Sequence, residues 1–255
     1  MATKKRLIFT LLYSDGYFCQ SRNFRLQKVG KIDWLIDNYK FSQVSKYIDE
    51  LILLDASPSK DIERFCEDSK KIIENARIPK CFGGGISNID DVERMFKTGA
   101  DKISINTLAF DDSNACEEII QKYGSQAVVA SVDYKIKDGK NIVFKANGSI
   151  STGIELSEHV NFLNELGVGE ILLNSMDKDG TGFGYDLDTV ISISDISTSP
   201  IIAVGGAGNK NHFETGLNVH NVGAVATANL YNFMGDALGI SRDYLLEQEI
   251  NLAKW

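Results

Sequence analysis

The chain has 255 residues, 43% apolar and 24% charged, an ordinary globular composition with room for one large α/β domain or two smaller ones. Its formal net charge of -8 argues against a general binder of nucleic acid or anionic membrane, because holding phosphate over a broad surface needs clustered Lys and Arg. A phosphorylated small molecule is still compatible, since a local group of backbone amides can hold one.

In chain order, "MATKKRLIFTLLYSDG" has a basic start and a short apolar run that ends in polar residues. It carries no signal peptide or membrane span, so a cytoplasmic protein is expected. Predicted strands follow at 6–12, 51–55, 80–84, 102–106, 127–133, 170–175, 201–205 and 224–228. Helix-like stretches lie between them, for example "IDDVERMFKTG" and "SNACEEIIQKYG". The strand runs are nearly continuous in Val, Ile, Leu and Ala, which marks strands buried on both faces, as in parallel sheets. Eight such units in this length fit one (β/α)8 TIM barrel, α/β in class.

The two halves of the chain resemble each other. "DELILLDAS" (49–57) recurs as "GEILLNSMD" (169–177), "IPKCFGGGISN" (78–88) as "SPIIAVGGAGN" (199–209), and "ADKISINT" (100–107) as "GAVATANL" (223–230). The offset is 120 from Glu50 to Glu170, 121 from Pro79 to Pro200 and 123 from Asn106 to Asn229. A long fixed period of this kind predicts two half-barrels, about 1–125 and 126–255, within a single domain. Near the start, "TLLYSDG" (10–16) reads as a strand running into a loop, and "SVDYKIKDG" (131–139) has the same shape. One copy has Leu12 where the other has Asp133.

In a barrel of this kind chemistry sits where the strands' C-terminal ends meet their loops. "GGG", with Gly84 and Gly85, and "GGAG", with Gly205 and Gly206, both follow strands and precede helices. Such glycines let amides approach an anion at a helix N-terminus, or they serve tight turns. Asn106 and Thr107 stand beside the first loop and Asn229 beside the second, which suggests a phosphate site in each half. Two sites on opposite rims would hold an elongated, doubly phosphorylated ligand with its centre near Asp133. That aspartate is a candidate general acid or base, or alternatively a loop cap. At the other end, Arg6, Glu50, Lys102 and Glu170 stand at strand N-termini, two of each sign. They could close a ring across the barrel floor, or make ordinary stabilising bridges. The four cysteines have no metal-like spacing and read as reduced, small apolar residues. The three histidines are scattered, so no metal site, His-based triad or cofactor is expected.

Taken together, "DELILLDAS", "FGGGISNIDDVERMFKTGADKISINT", "GVGEILLNSMDKDGTGFGYD" and "PIIAVGGAGNKNHF" resemble the cyclase subunit of imidazole glycerol phosphate synthase over essentially the whole chain. The resemblance implies a two-half TIM barrel that takes ammonia from a class I glutaminase subunit on its N-terminal face and delivers it through the core. It implies that Arg6, Glu50, Lys102 and Glu170 form an ammonia gate and that Asp101 lies at the glutaminase interface. Gly84, Asn106, Asp179, Gly180, Thr181, Gly205, Gly206, Ala228 and Asn229 fall on substrate and phosphate positions, with Asn229 replacing a serine usual there.

Asp133 matches one of the family's two catalytic aspartates. The other falls in a "CLDVKDG" motif, here "TLLYSDG", so its place is taken by Leu12, and a substrate-binding lysine becomes Gln20. "TLLYSDG" looks like the "CLLLKNG" of diverged relatives that assist a sugar amidotransferase in surface-polysaccharide biosynthesis. The expected function is therefore an ammonia-accepting and ammonia-conducting subunit for amidation of such a sugar. The alternative is the cyclase (a lyase) of histidine biosynthesis, and the third reading is a scaffold that conducts nothing.

Overall fold

Strands buried on both faces pack most easily as a closed parallel sheet, and that is how the apolar runs are arranged. The computed structural model describes residues 3–39, 41–74, 76–228 and 236–253. The parallel strands are β1 (Arg6–Ser14), β4 (Glu50–Asp55), β5 (Lys80–Gly83), β6 (Lys102–Ile105), β7 (Val128–Lys137), β10 (Glu170–Ser175), β11 (Ile201–Val204) and β12 (Val222–Thr227). Each pairs with the next, β10 pairs back to β7, and β12 pairs with β1, so an eight-stranded barrel closes. The helices are α1 (Ile32–Tyr39), α2 (Phe41–Val44), α3 (Ile62–Ile73), α4 (Ile89–Thr98), α5 (Thr107–Asp111) and α6 (Ser113–Tyr123), then α7 (Leu156–Leu166), α8 (Leu187–Ile196), α9 (Lys210–Leu217) and α10 (Ala237–Glu247). This is the (β/α)8 TIM barrel expected from the sequence. Among the described residues no helix is long and apolar enough to cross a membrane.

Strand alternation splits the core in two. Leu7, Phe9, Leu51, Leu53, Ile171 and Leu173 face the helices in one cluster. Ile8, Ile52, Cys81, Val129, Leu172, Ile202, Ala224 and Ala226 fill the barrel interior in a second, with Leu54 and Val204 against it. All four cysteines are free and buried.

The structure corrects the sequence reading after β1 and β7. "TLLYSDG" does not run into a loop. β1 extends to Ser14, turns through Asp15 and Gly16, and returns as antiparallel β2 (Tyr17–Arg22) and β3 (Arg25–Lys31). β7 likewise turns through Asp138 and Gly139 into β8 (Lys140–Lys145) and β9 (Ile150–Glu155). Both Asp-Gly pairs have positive φ, 48° and 86° in the first and 52° and 77° in the second, the backbone that a two-residue hairpin turn requires.

The two hairpins cross the barrel mouth. The Asn23–Phe24 tip of β2–β3 is held by the loop after β10, where the Asp179 carboxylate accepts from Ser21 Oγ at 2.6 Å and Phe24 N at 2.8 Å. The 146–148 tip of β8–β9 reaches the other half, with Ala146 N donating to Thr107 Oγ1 at 3.2 Å and Asn147 Nδ2 to the Ala56 carbonyl at 3.4 Å. The tips meet at Phe24 and Gly148, where a Cβ on the glycine would lie 2.6 Å from the phenyl ring.

Candidate functional site

The barrel floor is closed by one charged ring. Arg6, Glu50, Lys102 and Glu170 come from β1, β4, β6 and β10 and share the inward parity of their strands. Arg6 donates to Glu50 and to Glu170, and Lys102 Nζ lies 3.0 Å from Glu50 Oε2 and 2.6 Å from Glu170 Oε2. Cation and anion alternate round the ring. Burial opposes each charge, but the two carboxylates outweigh it and hold the Lys102 ammonium above its ordinary value. The cations in turn hold the Glu170 carboxyl below its own. Glu50 is 1% exposed and its Oε1 has no hydrogen-bond partner among the described residues. Asp101 lies on the same face, exposed, accepting from Lys80 N at 2.8 Å.

Above the ring the interior is the small apolar cluster, followed by two buried hydroxyls, Thr10 Oγ1 and Ser104 Oγ, with no hydrogen-bond partner among the described residues. At the mouth, Asp133 is buried on β7 opposite Asn174 of β10. Asn174 Nδ2 donates to its Oδ1 at 2.9 Å, and Asn106 Nδ2 lies 3.4 Å from its Oδ2. Burial pushes the Asp133 carboxyl up to about 7, the Asn174 amide pulls against this, and the negative charge of Asp179 adds to it. At that value the group exchanges a proton near neutral pH. In the other half the matching register pairs Leu12 with Leu54, both half-buried and apolar. Gln20 sits on β2 opposite Gln27.

The glycines are fixed by backbone geometry. Gly84 and Gly85 have φ of +92° and +73°, and a Cβ on Gly84 would lie 2.0 Å from the Asp55 carbonyl oxygen. Gly205 and Gly206 have φ of +92° and +97°, and a Cβ on Gly206 would lie 2.1 Å from the Gly184 oxygen, which belongs to the loop after β10. The helices that follow are capped alike: Asn88 Oδ1 accepts from Asp91 N at 3.0 Å and Asn209 Oδ1 from Asn211 N at 3.0 Å. The turn role of these glycines therefore has a direct structural cause.

Thr107 Oγ1 bridges toward the second hairpin, and Thr181 Oγ1 donates to the Lys178 carbonyl at 2.8 Å. Gly180, with φ +67°, lies under Ser21 and Arg22. Ala228 is half-buried just beyond β12, and Asn229 falls outside the described residues. The mouth thus gathers Asn106, Asp133 and the 179–181 loop, while the floor ring and Asp101 lie at the opposite end of the strands.

Two groups were not singled out from sequence. Asn174 becomes a partner of Asp133 only through cross-strand register. Its signal was parity, because Glu170, Leu172 and Asn174 alternate inward. Asp55, 2% exposed, accepts from Ser57 N at 2.8 Å, while its Oδ2 has no hydrogen-bond partner among the described residues and burial raises its pKa. It cannot replace an aspartate at Leu12, because it sits next to Leu54 and so on the other face of β4.

A family model described as "Histidine biosynthesis protein" matches residues 36–234. "Putative imidazole glycerol phosphate synthase subunit hisF2" of Parasynechococcus marenigrum is 44% identical over 255 residues, covering 99% of this chain and 95% of that protein. "Imidazole glycerol phosphate synthase subunit HisF" of Chlorobium limicola is 36% identical over 248 residues, covering 96% and 97%. The protein of the same name from Lachnoclostridium phytofermentans is 37% identical over 253 residues, covering 97% and 96%.

Proposed function

Because the chain belongs to the histidine-biosynthesis family and is similar over its whole length to imidazole glycerol phosphate synthase subunits, we propose that it is the ammonia-accepting barrel of a glutamine-dependent pair. The observation that carries this reading is the closed ring of Arg6, Glu50, Lys102 and Glu170, set at the foot of an interior column that ends at Asp133. A class I glutaminase docks on the floor, near Asp101, and the ring parts to admit ammonia. Neutral ammonia crosses the apolar layer of Ile8, Ile52 and Cys81 where an ammonium ion would be strongly disfavoured. The Thr10 and Ser104 hydroxyls then offer it hydrogen bonds on the way to the mouth.

The names of the relatives favour cyclisation in histidine synthesis as the fate of that ammonia, and the comparisons support this acceptor better than any other. One feature of the site supports a second acceptor. Family resemblance assigns cyclisation to two aspartates, and here Asp133 holds one of those positions while Leu12, which has no proton to give or take, holds the other. Losing such a group costs about 10²–10⁴-fold in rate. Amidation of a surface-polysaccharide sugar on a separate sugar amidotransferase needs the gate and the column, but not the second aspartate.

The deciding assay supplies the purified chain with the histidine-pathway bisphosphate and excess ammonium at alkaline pH, so that no glutaminase is needed. Loss of substrate absorbance is compared with that of a two-aspartate cyclase. Turnover within about tenfold of the control assigns cyclisation and removes the sugar reading. A folded chain that gives no turnover removes cyclisation.

A further inference from the structure

The first hairpin is basic in an acidic chain. Between Tyr17 and Lys31 it carries Arg22, Arg25, Lys28 and Lys31 and no carboxylate, in a chain of net charge -8. All four cations are exposed, and among the described residues none lies within ion-pair distance of a carboxylate. Lys28 Nζ sits 4.2 Å above the Tyr17 ring. Among the described residues β3 pairs only with β2, so its other edge presents backbone N–H and C=O groups with no strand partner there. Leu26 and Val29, 40% and 39% exposed, stand between the cations.

Cations on a free edge often serve only to prevent stray strand pairing. The second hairpin argues against that as a full account. Its outer strand β9 is also an edge with no further strand partner among the described residues, yet it carries no cation. The neighbouring Lys140 and Lys145 are each paired, with Glu155 and Asp111, and the exposed Lys135 and Lys137 lie on β7, not on that edge. The fold therefore tolerates this edge without a row of free positive charge.

We propose that the outer edge of β3 is the docking surface for an acidic face of the acceptor enzyme, the sugar amidotransferase, at the barrel mouth. This rests on the second acceptor reading above. A protein surface fits better than a small phosphate. Arg25 and Lys31 are about 20 Å apart along an extended strand. The cations are spread along the strand with apolar residues between them, whereas a phosphate site gathers its donors on one point. The position also suits the task. The hairpin starts at the end of β1 and its tip is fixed to the loop after β10, so a protein seated on it stands at the rim where ammonia would leave.

The test co-expresses this chain, tagged, with the class I glutaminase and the sugar amidotransferase of the same organism. Wild type is compared with the triple variant Arg25→Glu, Lys28→Glu, Lys31→Glu, which keeps the edge charged and so protected while reversing its sign. The expected result is that wild type retains both partners, more weakly at high salt. The variant should hold the amidotransferase at least about tenfold more weakly and the glutaminase, on the opposite face, undiminished. Undiminished glutaminase binding also shows that the variant is folded. Equal retention of the amidotransferase by both forms overturns the docking surface and leaves the sugar reading standing. A wild-type chain that holds the glutaminase but no amidotransferase overturns both.

Discussion

A carboxylate at the mouth of an apolar barrel is destabilised by its own charge, and Asp133 shows the effect. Its ordinary value is 3.8, and burial raises it to about 7 in the folded chain. The folded state therefore binds more protons than the unfolded one between those values, so stability falls as pH rises through that window and stays lower above it. Asp133→Asn removes the term. It should raise stability at pH 8 by roughly 4 kcal/mol, less whatever the altered bond to Asn174 costs, with little change near pH 3. Denaturant midpoints at the two pH values check this. If Asp133 does chemistry, the same variant loses about 10²–10⁴-fold in turnover. Asn174→Leu removes the amide that opposes the shift, so the inflection of Asp133 should move above 7, readable by carboxyl-carbon NMR without any substrate. Asp133 itself was legible in the sequence as a polar residue at a strand end. Asn174 was not, because its partnership depends on the register of two strands 41 positions apart.

At the level of elements, the eight barrel strands were legible because each is a short unbroken apolar run, and the hairpins were missed for the opposite reason. β3 reads "RLQKVGK" and is exposed at nearly every position, so no alternation marks it as a strand. β9 is similarly open and is interrupted by Gly153 at φ +75°. What did mark the hairpins was the Asp-Gly pair in each, a turn signal independent of burial. The glycine loops stand between strand and helix as the sequence indicates, but only the structure shows that their backbone demands glycine. Gly84 is the test position. A Cβ there meets the Asp55 carbonyl oxygen at 2.0 Å, and its φ is +92°, so Gly84→Ala must move two strand ends apart. A loss of at least about 2 kcal/mol is expected. Gly139, at φ +77° with nothing within 4 Å of its Cβ, is the control, and Gly139→Ala should cost only about 1 kcal/mol. Equal losses in thermal melts would mean that the close approach at Gly84 is not what demands glycine.

Across the whole molecule, the repeat and the strand count made the barrel legible, but its closure can be seen only where distant residues meet. The floor ring draws on positions 6, 50, 102 and 170, so it forms only when β1, β4, β6 and β10 are all in register. A ring this buried is not required for stability, because desolvating four charges offsets most of their attraction. Removing a single member is different. Glu50→Gln leaves Arg6 and Lys102 facing one carboxylate and should destabilise the chain by about 3–5 kcal/mol. Replacing all four, with Arg6→Met, Glu50→Leu, Lys102→Met and Glu170→Leu, should leave stability near wild type or above it. The quadruple variant therefore separates floor from gate. If the ring only seals the barrel bottom, glutamine-driven and ammonia-driven product formation should keep their wild-type ratio. If it admits ammonia from a docked glutaminase, the glutamine-driven rate should collapse while free ammonium still supports turnover. That change in ratio, in a chain whose melting temperature has not fallen, is an outcome that a purely structural ring cannot produce.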